Sequence, residues 1–175
     1  MIAYDFVTTA ARSLDELQAE VIVLPFFSDE RPLCGAAGLI DWRLCGALSR
    51  KLMAGYVDGS FGERALLTKP TKLQSEALLL VGLGASSTFD KSIAKKACAL
   101  IAETLREAKV SSAALALPGR SLSLLSALEA MQLWLAASLD DGELEELTII
   151  EQAQEHRALD SLLDGLRRQA ESPLD

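Results

Sequence analysis

Short apolar runs alternate along the chain with stretches in which apolar side chains recur every three or four positions. The runs at Tyr4–Thr8, Glu20–Phe27, Arg64–Lys69, Ala77–Val81, Ala113–Leu117 and Leu147–Ile150 predict strands. Ala77–Val81 is apolar throughout, as a strand covered on both faces of a parallel sheet would be. Pro25 limits the ladder pairing of the second run, because proline has no N–H to give. After Val81, Gly82 and Gly84 allow a sharp turn, and Ser86, Ser87, Thr88 and Asp90 are candidate N-caps. Ile93, Ala97, Ile101, Leu105 and Ala108 then repeat at helical spacing opposite a charged face.

The same pattern predicts further helices. Ser13 opens a short turn, and Asp41 is placed to cap a helix whose Leu44, Leu48 and Leu52 share one face. Ser121 or Ser123 is placed to cap a leucine-rich helix with an inner stripe of Leu124, Leu128, Met131 and Leu135, widened by Leu125 and Leu139. Asp140 to Gly142 reads as a turn, and Leu159, Leu162, Leu163 and Leu166 mark a final helix. Such alternation predicts an α/β fold, a mostly parallel or mixed sheet between two helix layers in a three-layer αβα sandwich. A single domain is expected over residues 1–170, with 171–175 a frayed tail.

Composition narrows the chemistry. Half of the residues are hydrophobic but only 5% aromatic, so the core must be built from Leu, Ala, Val and Ile. Seventeen basic against 25 acidic residues give a net charge of −8, and no window concentrates Lys or Arg with interleaved aromatics. Direct nucleic-acid binding is not expected, since phosphates require a local basic field. The N-terminus lacks the pattern of a secretory signal and no apolar run reaches the length of a membrane span, so a cytoplasmic chain is expected. Cys34, Cys45 and Cys98 fit neither a disulfide set nor a zinc spacing, and each is read as a small buried hydrophobe.

Candidate chemistry is sparse. A strand-to-helix turn can offer free backbone N–H groups to an anion. Gly82, Gly84, Ser86 and Ser87 form one such turn, and Gly35 and Gly38 lie in a second glycine loop. Neither the dinucleotide fingerprint nor the P-loop is met. His156, in a polar stretch, reads as a solvated surface side chain, and Asp140, Asp141, Glu143, Glu145 and Glu146 as solubilising charge. No metal site, cofactor site or catalytic constellation is predicted. Cys34 and Asp41, near the Gly35–Gly38 loop, are the residues to test for catalysis.

Three segments taken in order resemble the N-terminal domain of the leucyl aminopeptidase family, the cytosolic two-metal exopeptidases. They are Glu20–Phe27 followed by Leu33–Ala37, Asp41–Leu52 leading to Gly59–Leu67, and Ala77–Gly84 with Phe89, Asp90 and the helix after them. The weaker region from Leu122 to Ile150 also falls in its expected place. The resemblance implies a macro-domain-like fold, with the family's catalytic site in a separate domain. The family's signature Asn-Thr-Asp-Ala-Glu-Gly-Arg is absent from this sequence. The expectation is therefore a non-catalytic, stand-alone copy of that domain acting as an assembly or regulatory module, a homo-oligomer or the partner of a full-length aminopeptidase. Macro-domain likeness implies an alternative, a binder of ADP-ribose or a related nucleotide through Gly35–Gly38 and Gly82–Ser87. There the amide-bearing loop of many macro domains is replaced by Pro25-Phe26-Phe27-Ser28. A lesser alternative is an aminopeptidase component completed in trans.

Overall fold

The computed structural model describes residues 2–138 and 143–171. Among these, six strands form one mixed sheet: β1 (Ala3–Thr8), β2 (Val21–Phe26), β3 (Arg64–Thr68), β4 (Ala77–Gly82), β5 (Ser112–Ala116) and β6 (Glu146–Glu151). Their order is β1-β6-β5-β2-β4-β3. Neighbours pair in parallel except β3, which runs antiparallel to β4 with Leu66 opposite Leu79. The helices are α1 (Ala11–Asp15), α2 (Gly35–Arg43), α3 (Ala47–Met53), α4 (Lys91–Glu107), α5 (Ala127–Ala137) and α6 (Ala153–Glu171), with a 3-10 turn at Ser86–Thr88.

Helices flank the sheet on both sides, which is why its central strands are apolar without alternation. In β2, Val21 and Val23 join Cys98 and Ile101 of α4, Met131 and Trp134 of α5 and Leu159 of α6. Ile22, Leu24 and Phe26 point the other way, into a cluster with Leu14 of α1, Ile40 of α2 and Leu48 of α3. Each fully buried Leu, Ile or Val stabilises the fold by roughly 1.5–3 kcal/mol. Registered pairing of β2 with β5 ends at Val23, two residues before Pro25, as a missing N–H requires.

Local chemistry moves several helix boundaries from their predicted places. Asp90 is the N-cap of α4, accepting from the Ile93 amide at 2.8 Å. Asp41 does not start a helix; it lies inside α2, and the predicted helix is two, broken where Cys45 and Gly46 take φ of 56° and 78°. Gly46 has no side chain with which to cap α3. The buried Asp41 carboxylate does so instead, accepting from the Leu48 and Ser49 amides at 2.8 and 3.1 Å and from the Ser49 hydroxyl.

Ser126, and not Ser121 or Ser123, caps α5, in a capping box with Glu129. The later start rotates the inner face onto Ala127, Ala130, Met131 and Trp134, and leaves Leu124 and Leu128 exposed. Ser13 lies within α1, which starts at Ala11 without a side-chain cap. Leu159 and Leu163 of α6 are buried but Leu166 is exposed. The predicted turn at Asp140–Gly142, Leu139 and residues 172–175 lie outside the described residues.

Candidate functional site

After β2 the chain continues toward the β4 and β3 side of the sheet, whereas after β5 it continues toward β6. The C-terminal ends of β2 and β5 therefore form a topological switch point, where loops diverge and leave a crevice. A crevice of about 160 Å³ opens there, lined among others by Pro25, Gly35, Ala116, Arg120, Ser121 and Glu151. Gly35 begins α2 with φ of 54°, and a Cβ on it would stand 3.4 Å from Ser121 Cα. The N-cap of α2, Cys34, makes no side-chain cap. Among the described residues the amides of Gly35, Ala36 and Ala37 consequently have no acceptor, and all three residues line the crevice. A helix start of this kind favours negative charge.

Two fixed charge arrangements frame these donors. Glu30, 2% exposed, accepts from the Phe27 amide at 3.1 Å, the Ser121 hydroxyl at 2.9 Å and the Cys34 amide at 2.8 Å. Arg120 donates through Nε and a terminal nitrogen to the buried Glu151 carboxylate at 2.6 and 3.1 Å, and through its other terminal nitrogen to the Leu125 carbonyl at 2.6 Å. The hydrogen bonds to Glu151 push the Arg120 pKa further up, so the guanidinium stays charged. The pair clamps the β5–α5 loop to the end of β6.

The residues singled out for catalysis are not brought into a reactive pair. Burial, and then the charge of Glu30, push the Cys34 thiol up, away from the thiolate needed of a nucleophile. The Asp41 carboxylate is engaged in capping α3. Of the cysteines expected to be buried only Cys98 is, its thiol pushed up to about 12 by burial; Cys34 is partly buried and Cys45 exposed. His156 is half-buried instead of solvated: its Nε2 lies 2.9 Å from the Glu151 carbonyl, and its ring is 5.6 Å from that of Phe6. Among the described residues, no three His, Cys, Asp or Glu side chains are grouped so as to hold a metal ion. Nor is any helix among them long and apolar enough to cross a membrane.

Of the glycine-loop candidates, Gly35 lines the crevice; Gly38, inside α2, packs toward the Leu33 carbonyl. The Gly82–Ser87 loop lies outside the crevice lining. Gly82 ends β4 where a Cβ would meet the Ser60 carbonyl oxygen at 2.1 Å, so its role is close backbone approach. Gly84 donates to the Gly59 carbonyl at 2.8 Å. The Ser86 amide and hydroxyl donate to Asp29 at 2.9 and 2.6 Å and hold the Asp29 carboxyl below its ordinary range. That loop thus has an anion from its own chain, and Ser87 is exposed on the 3-10 turn beside it. Glu30, Arg120, Ser121 and Glu151 escaped the sequence reading as site residues. Their only signal was charge and hydroxyls just past strand ends.

A larger groove, about 960 Å³, runs between β3 and α4 on the far side of β4, with Leu66, Leu73, Leu79, Leu105 and Val110 in its wall. Ser75, also in its lining, is buried and its hydroxyl has no partner among the described residues.

Residues 8–139 match the cytosol aminopeptidase family, N-terminal domain. A probable cytosol aminopeptidase of Pseudomonas syringae pv. tomato is 32% identical over 116 residues, 66% of this chain and 23% of that protein. The chain thus spans under a quarter of that relative's length. Among solved structures, a mutant tomato leucine aminopeptidase superposes with a TM-score of 0.62 at 18% identity, covering 91% of this chain and 35% of that one. A Trypanosoma brucei macrodomain in complex with ADP superposes with a TM-score of 0.70 at 14% identity, covering 91% and 68%. These likenesses show the fold, a mixed sheet flanked by helices and close to that of macrodomains.

Proposed function

Because the chain belongs to the cytosol aminopeptidase family, as its N-terminal domain, we propose that it is a three-layer, macro-domain-like binding module without peptidase chemistry of its own. Its ligand is a small anion of nucleotide or sugar-phosphate type, held in the crevice at the β2–β5 switch point. The observation that carries this reading is the open start of α2, where Gly35, Ala36 and Ala37 line the crevice and their amides have no acceptor among the described residues. A phosphate oxygen there would accept what the chain leaves unpaired, and the helix dipole would add to the attraction. The ADP carried by the Trypanosoma macrodomain supports the same ligand class.

Size and charge set the terms. At about 160 Å³ the crevice is smaller than pockets that enclose whole cofactors, roughly 300–1,000 Å³. One phosphate with part of its sugar fits, and the rest of a nucleotide would lie outside. The Glu30 carboxylate, hydrogen-bonded to Cys34 and Ser121 at the crevice edge, opposes an incoming anion. Affinity should therefore be modest and should fall with salt. Calorimetric titration with ADP-ribose, ADP and inorganic phosphate tests the reading: saturable heat with the nucleotides, competed by phosphate, is expected. No heat with any of them at millimolar concentration would end it.

A second reading, an assembly module, is favoured by the apolar groove beside β3, in which Leu66 is 61% exposed. A second copy or a full-length aminopeptidase would cover it. For either reading we place the chain in the cytoplasm, where its three free thiols are kept reduced.

A further inference from the structure

We propose that two copies of this chain join their sheets through β3, antiparallel about a two-fold axis at Leu66. The inference rests on the assembly reading and specifies its partner, surface and register. β3 is an edge strand with neither a proline nor a central charge to blunt it. Lys69 donates its amide to the Glu76 carbonyl and Gly82 donates to the Glu63 carbonyl, so the odd-numbered residues direct their backbone toward β4. Arg64, Leu66 and Thr68 therefore direct N–H and C=O away from the sheet, and none of these groups has a partner among the described residues.

Those free groups are self-complementary. An antiparallel pairing with Leu66 opposite Leu66 of the other copy sets Arg64 opposite the other copy's Thr68, and every outward N–H and C=O finds a partner. No like charges face each other in this register. Glu63 and Lys69, one residue beyond each end, would come opposite one another across the two copies. The side chains of Arg64, Leu66 and Thr68 lie on the α4 side, in the lining of the apolar groove, so the pairing also brings the two grooves together and covers Leu66. An isologous contact of this kind closes on itself as a dimer. The opposite edge of the sheet is poorly suited: on β1, Asp5 is exposed at mid-strand and its carboxylate takes the Phe6 amide at 2.8 Å.

The test is sedimentation equilibrium from micromolar to millimolar concentration, with hydrogen exchange of the Leu66 and Thr68 amides, on the native chain, Leu66→Lys and the control Leu128→Lys. Leu66 and Leu128 are both exposed, so both variants should keep the native circular dichroism and melting behaviour. A concentration-dependent dimer is expected, with the two amides slowed as it forms. Leu66→Lys should weaken the dimer by at least about tenfold, and Leu128→Lys should leave it unchanged. A native chain that stays monomeric overturns both this inference and the self-association form of the assembly reading. A dimer that survives Leu66→Lys, with β3 amides exchanging as in the monomer, overturns the β3 register alone and leaves assembly through another face.

Discussion

Replacing Glu30 separates what the crevice needs for folding from what it needs for binding. The carboxylate is 2% exposed and takes three donors, two on Oε2 from Phe27 and Ser121 and one on Oε1 from Cys34. In Glu30→Gln the amide oxygen can replace Oε2 and keep two of these bonds, while its NH₂ faces the Cys34 amide and leaves one buried donor unpaired. A hydrogen bond to a charged group is worth about 1.5–3 kcal/mol, and an orphaned buried donor costs a similar amount, so Glu30→Gln should lose about 2–3 kcal/mol. Glu30→Ala strands all three donors and adds a void, for about 4–5 kcal/mol. With a urea slope of roughly 1–3 kcal/mol/M, the glutamine variant should unfold about 0.7–3 M earlier with unchanged slope. Binding should move the other way. Glu30→Gln removes the negative charge beside the α2 donors, so phosphate and ADP should bind more tightly to it than to the native chain. The reasoning is refuted if the alanine variant is no less stable than the glutamine variant, or if both lie within about 0.5 kcal/mol of the native chain.

Other expectations follow from the same geometry. Glu151→Ala leaves the partly buried Arg120 charge without its partner and should cost about 3 kcal/mol by denaturant unfolding, whereas Arg120→Met with Glu151→Leu should recover most of the loss. Gly82→Ala would drive a methyl into the Ser60 backbone at 2.1 Å and should destabilise by about 3 kcal/mol or more, or prevent folding. Glu129, held down to about 2 chiefly by its hydrogen bond to Lys91 and then by Ser126, should titrate far below its ordinary 4.5 when its carboxyl is followed by NMR. Its folded value is depressed, so its contribution is present above pH 4.5 and is lost as pH falls toward 2. Lys91→Ala should move the midpoint back up; an unshifted native midpoint would refute the assignment.

Much of the fold was legible because burial alone determines it. Apolar runs such as Ala77–Val81 can be satisfied only between two helix layers, and the spacing of Ala97, Ile101 and Leu105 leaves one face for the core. Misplaced boundaries arose where a tertiary partner outranked a local one. Asp41 caps a helix five residues beyond its own position, because Gly46 provides no side chain there. Ser126 displaced Ser121 because Ser121 is held by Glu30 across 91 positions of sequence. The sequence pattern favoured the Gly82–Ser87 turn and brought in Gly35–Gly38 only through the macro-domain resemblance, yet the structure shows an open helix start at Gly35 and the Ser86 donors already occupied by Asp29. The Arg120–Glu151 clamp joins positions 31 residues apart and carries no local pattern. The edge of β3 was equally hidden, since Arg64–Lys69 reads as any other short strand until its neighbours are known.

The most direct test of the binding account is an amide NMR titration of the native chain with ADP, following the resonances of Gly35, Ala36 and Ala37. The account predicts that these three shift together and saturate, that Arg120 and Ser121 follow, and that Leu66 and Ser86 do not move. Saturable shifts confined to the β3–α4 groove, or none at millimolar ADP, would contradict it.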